Sequence, residues 1–151
     1  MSKVNRVDFV QKQLIKFGKD VEQFVIDQTE LTGRNIEADA KRLAPVNKAA
    51  NIIGGSLKQQ ITYKPSNGGL GARIFANAPY SAYVEFGTGG LVNVPSELKE
   101  LAILFKGKGV KQINIRPQPF LYPSLTLNRQ KYIASLQKKL QILTTNVNKS
   151  R

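Results

Sequence analysis

Val7, Val10, Leu14, Phe17, Val21 and Val25 recur at steps of three and four along the first part of the chain, with charged and amide residues between them. That spacing places them on one side of an α-helix. Ile36, Ala40 and Leu43 resume the stripe, so the pattern predicts a helix over residues 5–44, closed by Pro45. Asp8/Lys12, Glu30/Arg34 and Glu37/Lys41 are acid-first pairs four residues apart, each contributing roughly 0.2–0.5 kcal/mol. Gly18 and Gly33 interrupt the stripe at about 1 kcal/mol each relative to Ala, so a kink or break near Thr32-Gly33 is one expectation. Unbroken, about forty helical residues span about 60 Å. A globule of this chain length has a radius of gyration of about 15 Å. Either the helix breaks at a glycine and folds back, or another subunit covers part of its stripe. The length favours the second.

The pattern then changes period. Ile52, Ile53 and Leu57 surround Gly54-Gly55-Ser56, with Ser56 placed to cap a short helix. Ile61-Thr62-Tyr63 alternates, Pro65-Ser66-Asn67-Gly68-Gly69 is a turn, and Leu70 to Ala76 alternates again. This predicts a β-hairpin with Leu70, Ala72, Ile74 and Ala76 facing inward. Residues 95–105 read as a short helix capped by Ser96, and Lys111 to Arg116 alternates as a third strand. The last helix, over residues 124–145, is expected to bury Leu125, Tyr132, Leu136, Leu140 and Leu143, leaving residues 146–151 as a frayed basic tail. The expected fold is α+β: a long N-terminal helix (residues 1–44), a small antiparallel sheet built on the hairpin within residues 45–123, and a C-terminal helix packed on that sheet. A chain of 151 residues is expected to form one domain over its whole length.

Composition narrows the chemistry. With no Cys and no His, the chain has no disulfide, no thiolate metal site and no histidine general base. The expectation is a protein without catalytic residues, cofactor, metal or small-molecule substrate. No apolar run reaches the ~18–20 residues of a membrane span, and the segment from Met1 to Arg6 lacks the apolar stretch of a signal peptide. The net charge of +13 is lopsided: residues 1–44 hold eight basic residues against seven acids, and residues 45–151 hold fifteen against three. Such a field favours an acidic partner, whether nucleic acid or the negative face of another protein.

Two segments carry the most specific pattern. In the first, Tyr80, Tyr83 and Phe86 fall three residues apart on one face of a helical turn that Gly87 ends. In the second, Pro117, Pro119 and Pro123 hold residues 116–123 extended around Phe120 and Tyr122. Phe86 and Phe120 are the foremost core candidates, while the tyrosines suit an interface where the hydroxyl stays wet. Glu85 is the one acid between Asp39 and Glu97. It either pairs with a basic residue or caps backbone amides, and the residues alone leave both open. Lys106-Gly107-Lys108-Gly109 lacks the spacing of a phosphate-binding loop. No helix-turn-helix, RNP-type or zinc signature accompanies the basic residues, so a nucleic-acid-binding domain is an alternative that rests on charge alone.

In this order the segments resemble the small tail-component proteins of long-tailed bacteriophages and prophages, which serve in the neck, in tail completion or in head–tail joining. The resemblance lies in Ala44-Pro45-Val46 after the long helix, in Tyr80-Ser81-Ala82-Tyr83-Val84-Glu85-Phe86-Gly87-Thr88, and in Pro117-Gln118-Pro119-Phe120-Leu121-Tyr122-Pro123 before the last helix. It departs at Gly54 to Ile61, where only a Leu/basic/Ile pattern of the family's Thr-Gly-x-Leu-Arg element is kept, and in the additional segment 95–105. The resemblance implies a non-enzymatic virion protein, assembled in the host cytoplasm as a ring or in several copies. Its implied neighbours are the tail terminator, tail tube or connector, with non-specific contact to phage DNA as a further implication. Tyr80, Tyr83, Glu85, Phe86, Gly87, Pro117, Pro119, Phe120 and Tyr122 are the implied interface and motif residues.

Overall fold

A computed structural model describes residues 3–46, 56–88, 93–100 and 115–149. Its elements are α1 (Lys3–Leu43), α2 (Ser56–Gln59), β1 (Ile61–Ser66), β2 (Gly71–Ala76), α3 (Ser81–Phe86) and α4 (Leu121–Lys149), with 3-10 turns at Asn67–Gly69 and Ser96–Leu98. The fold is α+β.

Helix α1 is continuous through both glycines, so it neither breaks nor folds back. Gly33 is needed there for space: a Cβ would run into Cε2 and Cδ2 of the Tyr63 ring. The hairpin lies along α1 from Ala40, in contact with the cluster around Ile61, to Ile26, which meets Gly69 of the turn. Strands β1 and β2 pair antiparallel with Ile61 opposite Ala76 and Ser66 opposite Gly71. Pro65 belongs to β1 and not to the turn; the reversal is made by Asn67, Gly68 and Gly69, all at positive φ. Of the four β2 positions expected inside, Ile74 and Ala76 are partly buried, whereas Leu70 and Ala72 are exposed near the turn end of the hairpin.

Helix α4 starts at Leu121, three residues earlier than the prolines indicated, and runs to Lys149, so most of the expected tail is helical. It packs antiparallel along α1. Asn128 Nδ2 donates to Asp39 Oδ2 at 2.9 Å, Tyr132 and Thr29 hydroxyls meet at 3.0 Å, Ser135 bonds Gln28, and the Lys139 ammonium lies 5.1 Å from the centre of the Phe24 ring. At its first turn Leu121 joins the core beside the hairpin. The inward face of α4 is therefore laced by polar groups (Ser124, Asn128, Tyr132, Ser135), while Leu125 and Leu140, expected inside, are exposed. Tyr132, Leu136 and Leu143 are partly buried as expected, so periodicity found part of the face and missed the rest because α4 carries leucines and isoleucines on more than one side.

The core is small: Ala40, Ala44, Leu57, Ile61, Ala78 and Phe120, with Ile74, Ala76, Val84 and Leu121 against it. It occupies the C-terminal end of α1. Continued along both helices, the α1–α4 register brings Lys149 level with about Leu14, leaving an overhang of about 16 Å. The expected third strand at 111–116 lies mainly outside the described residues, as does the segment beyond Glu100, where the expected short helix begins as a 3-10 turn.

Candidate functional site

The two signature segments, some thirty residues apart in sequence, are joined by one carboxylate. Helix α3 ends at Phe86 because Gly87 follows at φ 76, donating its amide to the carbonyl of Tyr83. One residue inside that end, Glu85 is 6% exposed and aimed at the start of α4. Its Oε2 accepts the amides of Phe120 (2.8 Å) and Leu121 (2.9 Å), and its Oε1 accepts that of Tyr122 (2.9 Å). The next residue is Pro123, which has no amide to satisfy. The free donors that open a helix are thus all answered, three by Glu85 and one by the proline ring. A carboxylate at this end also complements the helix dipole. Of the two roles open for Glu85, the structure shows amide capping.

Backbone contacts complete the clasp. Gln118 donates to Val84 O at 2.8 Å and Thr88 to Ile115 O at 3.0 Å, and Ile115 N–H returns a bond to Thr88 Oγ1 at 2.9 Å. A side chain at Gly87 would meet Ile115 O at 2.8 Å and Pro117 at 3.0 Å, in a backbone region that disfavours L residues. Phe120 enters the core with 1% exposure, while Phe86, the other core candidate, is only half-buried.

The remaining motif residues separate from these. Tyr80 and Tyr83 are exposed, at 42% and 37%. The Tyr80 hydroxyl meets Ser56 Oγ at the start of α2. Pro119 is exposed and Pro117 half-buried against Gly87. The Tyr122 hydroxyl donates to Glu97 Oε2 at 2.6 Å, and that carboxylate holds the phenol above its ordinary value of 10.0. The structure therefore brings all nine motif residues to one end of the molecule in two layers. Glu85, Gly87 and Phe120 lock the clasp, and Tyr80 and Tyr83 are carried on its surface. Among the described residues no cluster of acidic side chains could hold a metal ion, and no helix is long and apolar enough to cross a membrane.

Sequence reasoning missed Ser124 and Asn128, both buried, which lace α4 to itself and to Asp39. Their signal was a polar stripe: Ser124, Asn128, Tyr132 and Ser135 recur at steps of four, four and three.

The described residues thus form a long helix that carries a hairpin and a motif clasp. The family described as "Bacteriophage HK97-gp10, putative tail-component" matches residues 8–87, more than half of the chain. The chain belongs to this family of phage tail components and is a structural protein of the virion. The matched range takes in α1, the hairpin and the Tyr80–Gly87 segment. Comparison with curated proteins and with solved structures found no match for the chain.

Proposed function

We propose that this protein completes the tail or joins it to the head, assembling with copies of itself and docking to a neighbouring terminator, tube or connector protein. The observation that carries the self-assembly is the overhang of α1. Val7, Phe9, Val10, Leu14 and Ile15 are each more than half exposed, on a helix continuous with the packed part of the molecule. Val7, Val10 and Leu14 share one side of this exposed segment with Ile15 beside them, the kind of patch that marks an interface. A second apolar surface, Leu125, Ile133 and Leu140, is exposed along one side of α4. Two different patches on one chain suit head-to-tail contacts, which close into rings, better than a two-fold dimer.

The clasp supports the docking part of the reading. Tyr80 and Tyr83 are large amphipathic rings on a face fixed from beneath by Glu85 and Gly87, so little side-chain order is lost when a partner meets them. The chain acts here as one domain and does no chemistry of its own. Its positive field suits an acidic face of the neighbouring protein or the DNA that the tail conducts. The test is the mass of the purified protein in solution over a range of concentrations. A multimer that Val10→Asp with Leu14→Lys converts to monomers is the expected result. A monomer at every concentration would remove the basis for self-assembly.

A further inference from the structure

The two edges of the hairpin are unlike. In the observed register Ile61, Tyr63 and Pro65 of β1 turn their backbone groups away from β2, and Ala72, Ile74 and Ala76 of β2 turn theirs away from β1. On the β1 edge Glu37 of α1 accepts the Tyr63 amide at 2.9 Å, and Pro65 has no amide to offer, so neither position can donate to a further strand. Proline on a strand edge and a side-chain cover are two ways proteins prevent further pairing. On β2 the Ser81 hydroxyl occupies the Ala76 carbonyl at 2.9 Å. The amides and carbonyls of Ala72 and Ile74 bond no other described residue. Among the described residues, the outward amides near the turn are therefore free on β2 and unavailable on β1.

Charge adds a second asymmetry. Lys64 and Arg73 stand directly opposite each other across the ladder. Like charges so placed oppose pairing. Lys64 is turned over the Phe75 ring, 5.7 Å from its centre, while Arg73 forms no ion pair among the described residues. An incoming strand beside β2 would place a side chain next to Arg73, and a carboxylate there relieves the repulsion.

We infer that the β2 edge accepts an extended segment of another virion protein as a third strand, with an acidic residue beside Arg73 and small or apolar residues beside Ala72 and Ile74. This rests on the reading of the chain as a docking component of the tail. A second copy is a poor occupant: β2 against β2 centred on its free amides sets Arg73 against Arg73, and β1 offers no free amide at Tyr63 or Pro65. The strand expected at 111–116 holds Lys111 and Arg116 and no acid, so it brings no counter-charge to Arg73. Glu85 and Glu97 are already engaged, Glu85 in capping α4 and Glu97 with the Tyr122 hydroxyl. Strand addition draws its affinity from main-chain bonds and its selectivity from alternate side chains.

The experiment uses the full chain, isotopically labelled, with a Val-Glu-Val-Glu-Val-Glu peptide and its Val-Lys-Val-Lys-Val-Lys counterpart. The glutamate peptide should slow exchange of the Ala72 and Ile74 amides by about tenfold or more, and the lysine peptide should not. Ala72→Pro removes an outward amide without breaking a β1–β2 bond and should abolish the effect. Arg73→Glu should raise the stability of the hairpin by pairing with Lys64 and yet reverse the peptide preference, which a purely structural role for Arg73 does not predict. Unchanged exchange with the glutamate peptide, or an Arg73→Glu variant that still prefers it, overturns the inference. If those amides fail to respond in a protein that self-assembles, strand addition falls and the assembly reading stands. If they respond in a protein that stays monomeric, the reverse holds.

Discussion

At one end of α1, Ile36, Ala40 and Ala44 are buried under the hairpin, α2 and the clasp; at the other, Val7, Val10 and Leu14 keep more than half of their surface in water. The helix is the same and so is the spacing of its apolar residues. What differs is cover. The packed end is enclosed by segments that return from far along the chain, Ile61 and Phe120 among them. The bare end extends past the end of α4 and meets no described element. Periodicity thus specifies where a helix wants apolar neighbours, and the reach of the rest of the chain decides whether it finds them internally.

Substitutions at the two ends should separate these cases. Phe120→Ala, at the centre of the packed end, should cost roughly 3–5 kcal/mol and be read as a loss in urea-unfolding free energy. Glu85→Ala should follow at roughly 2–3 kcal/mol, because three amides lose their acceptor. Faster exchange at Phe120, Leu121 and Tyr122, with slower change elsewhere, is its signature. Acid should also act on the packed end. The Lys41 ammonium holds Glu37 below its ordinary 4.5, and the Asn128 amide holds Asp39 below its ordinary 3.8. Both carboxylates bind a proton less readily folded than unfolded, so their stabilisation is full at neutral pH and is lost as pH falls through these values and below. Glu37→Gln with Asp39→Asn should flatten the fall in unfolding free energy between about pH 6 and about pH 3. Smallest in stability is the bare end: Val10→Asp with Leu14→Lys should change the monomer by less than about 0.5 kcal/mol. The same pair should nevertheless lower the mass in solution. A large loss of monomer stability there would mean that the overhang is covered within its own chain.

Much of the fold was legible. The bounds of α1, the existence of the hairpin and the end of α3 at Gly87 all follow from local pattern and glycine chemistry. The continuity of α1 was favoured by its length, but the reason for Gly33 was not legible, because it lies in the Tyr63 ring, thirty residues away. The start of α4 was missed for a related reason. Three prolines read as extended chain, yet Pro123 falls in the first helical turn, where no hydrogen bond is lost. The site residues were legible as a group and not in their roles. Spacing marks Glu85, Gly87 and Phe120 alongside Tyr80 and Tyr83, but only the fold distinguishes the locked layer from the exposed one. The polar lacing of α4 on α1 was visible as a stripe and was overshadowed by the leucines beside it.

The Glu85 cap also has a bearing on how this chain tolerates change in length. With Val84 tied to Gln118 and Thr88 tied to Ile115, everything between Thr88 and Ile115 is a cassette whose two ends are welded at one point. New material can therefore be spliced there without disturbing where the last helix begins, which makes this stretch the natural place to graft a different specificity onto an unchanged scaffold.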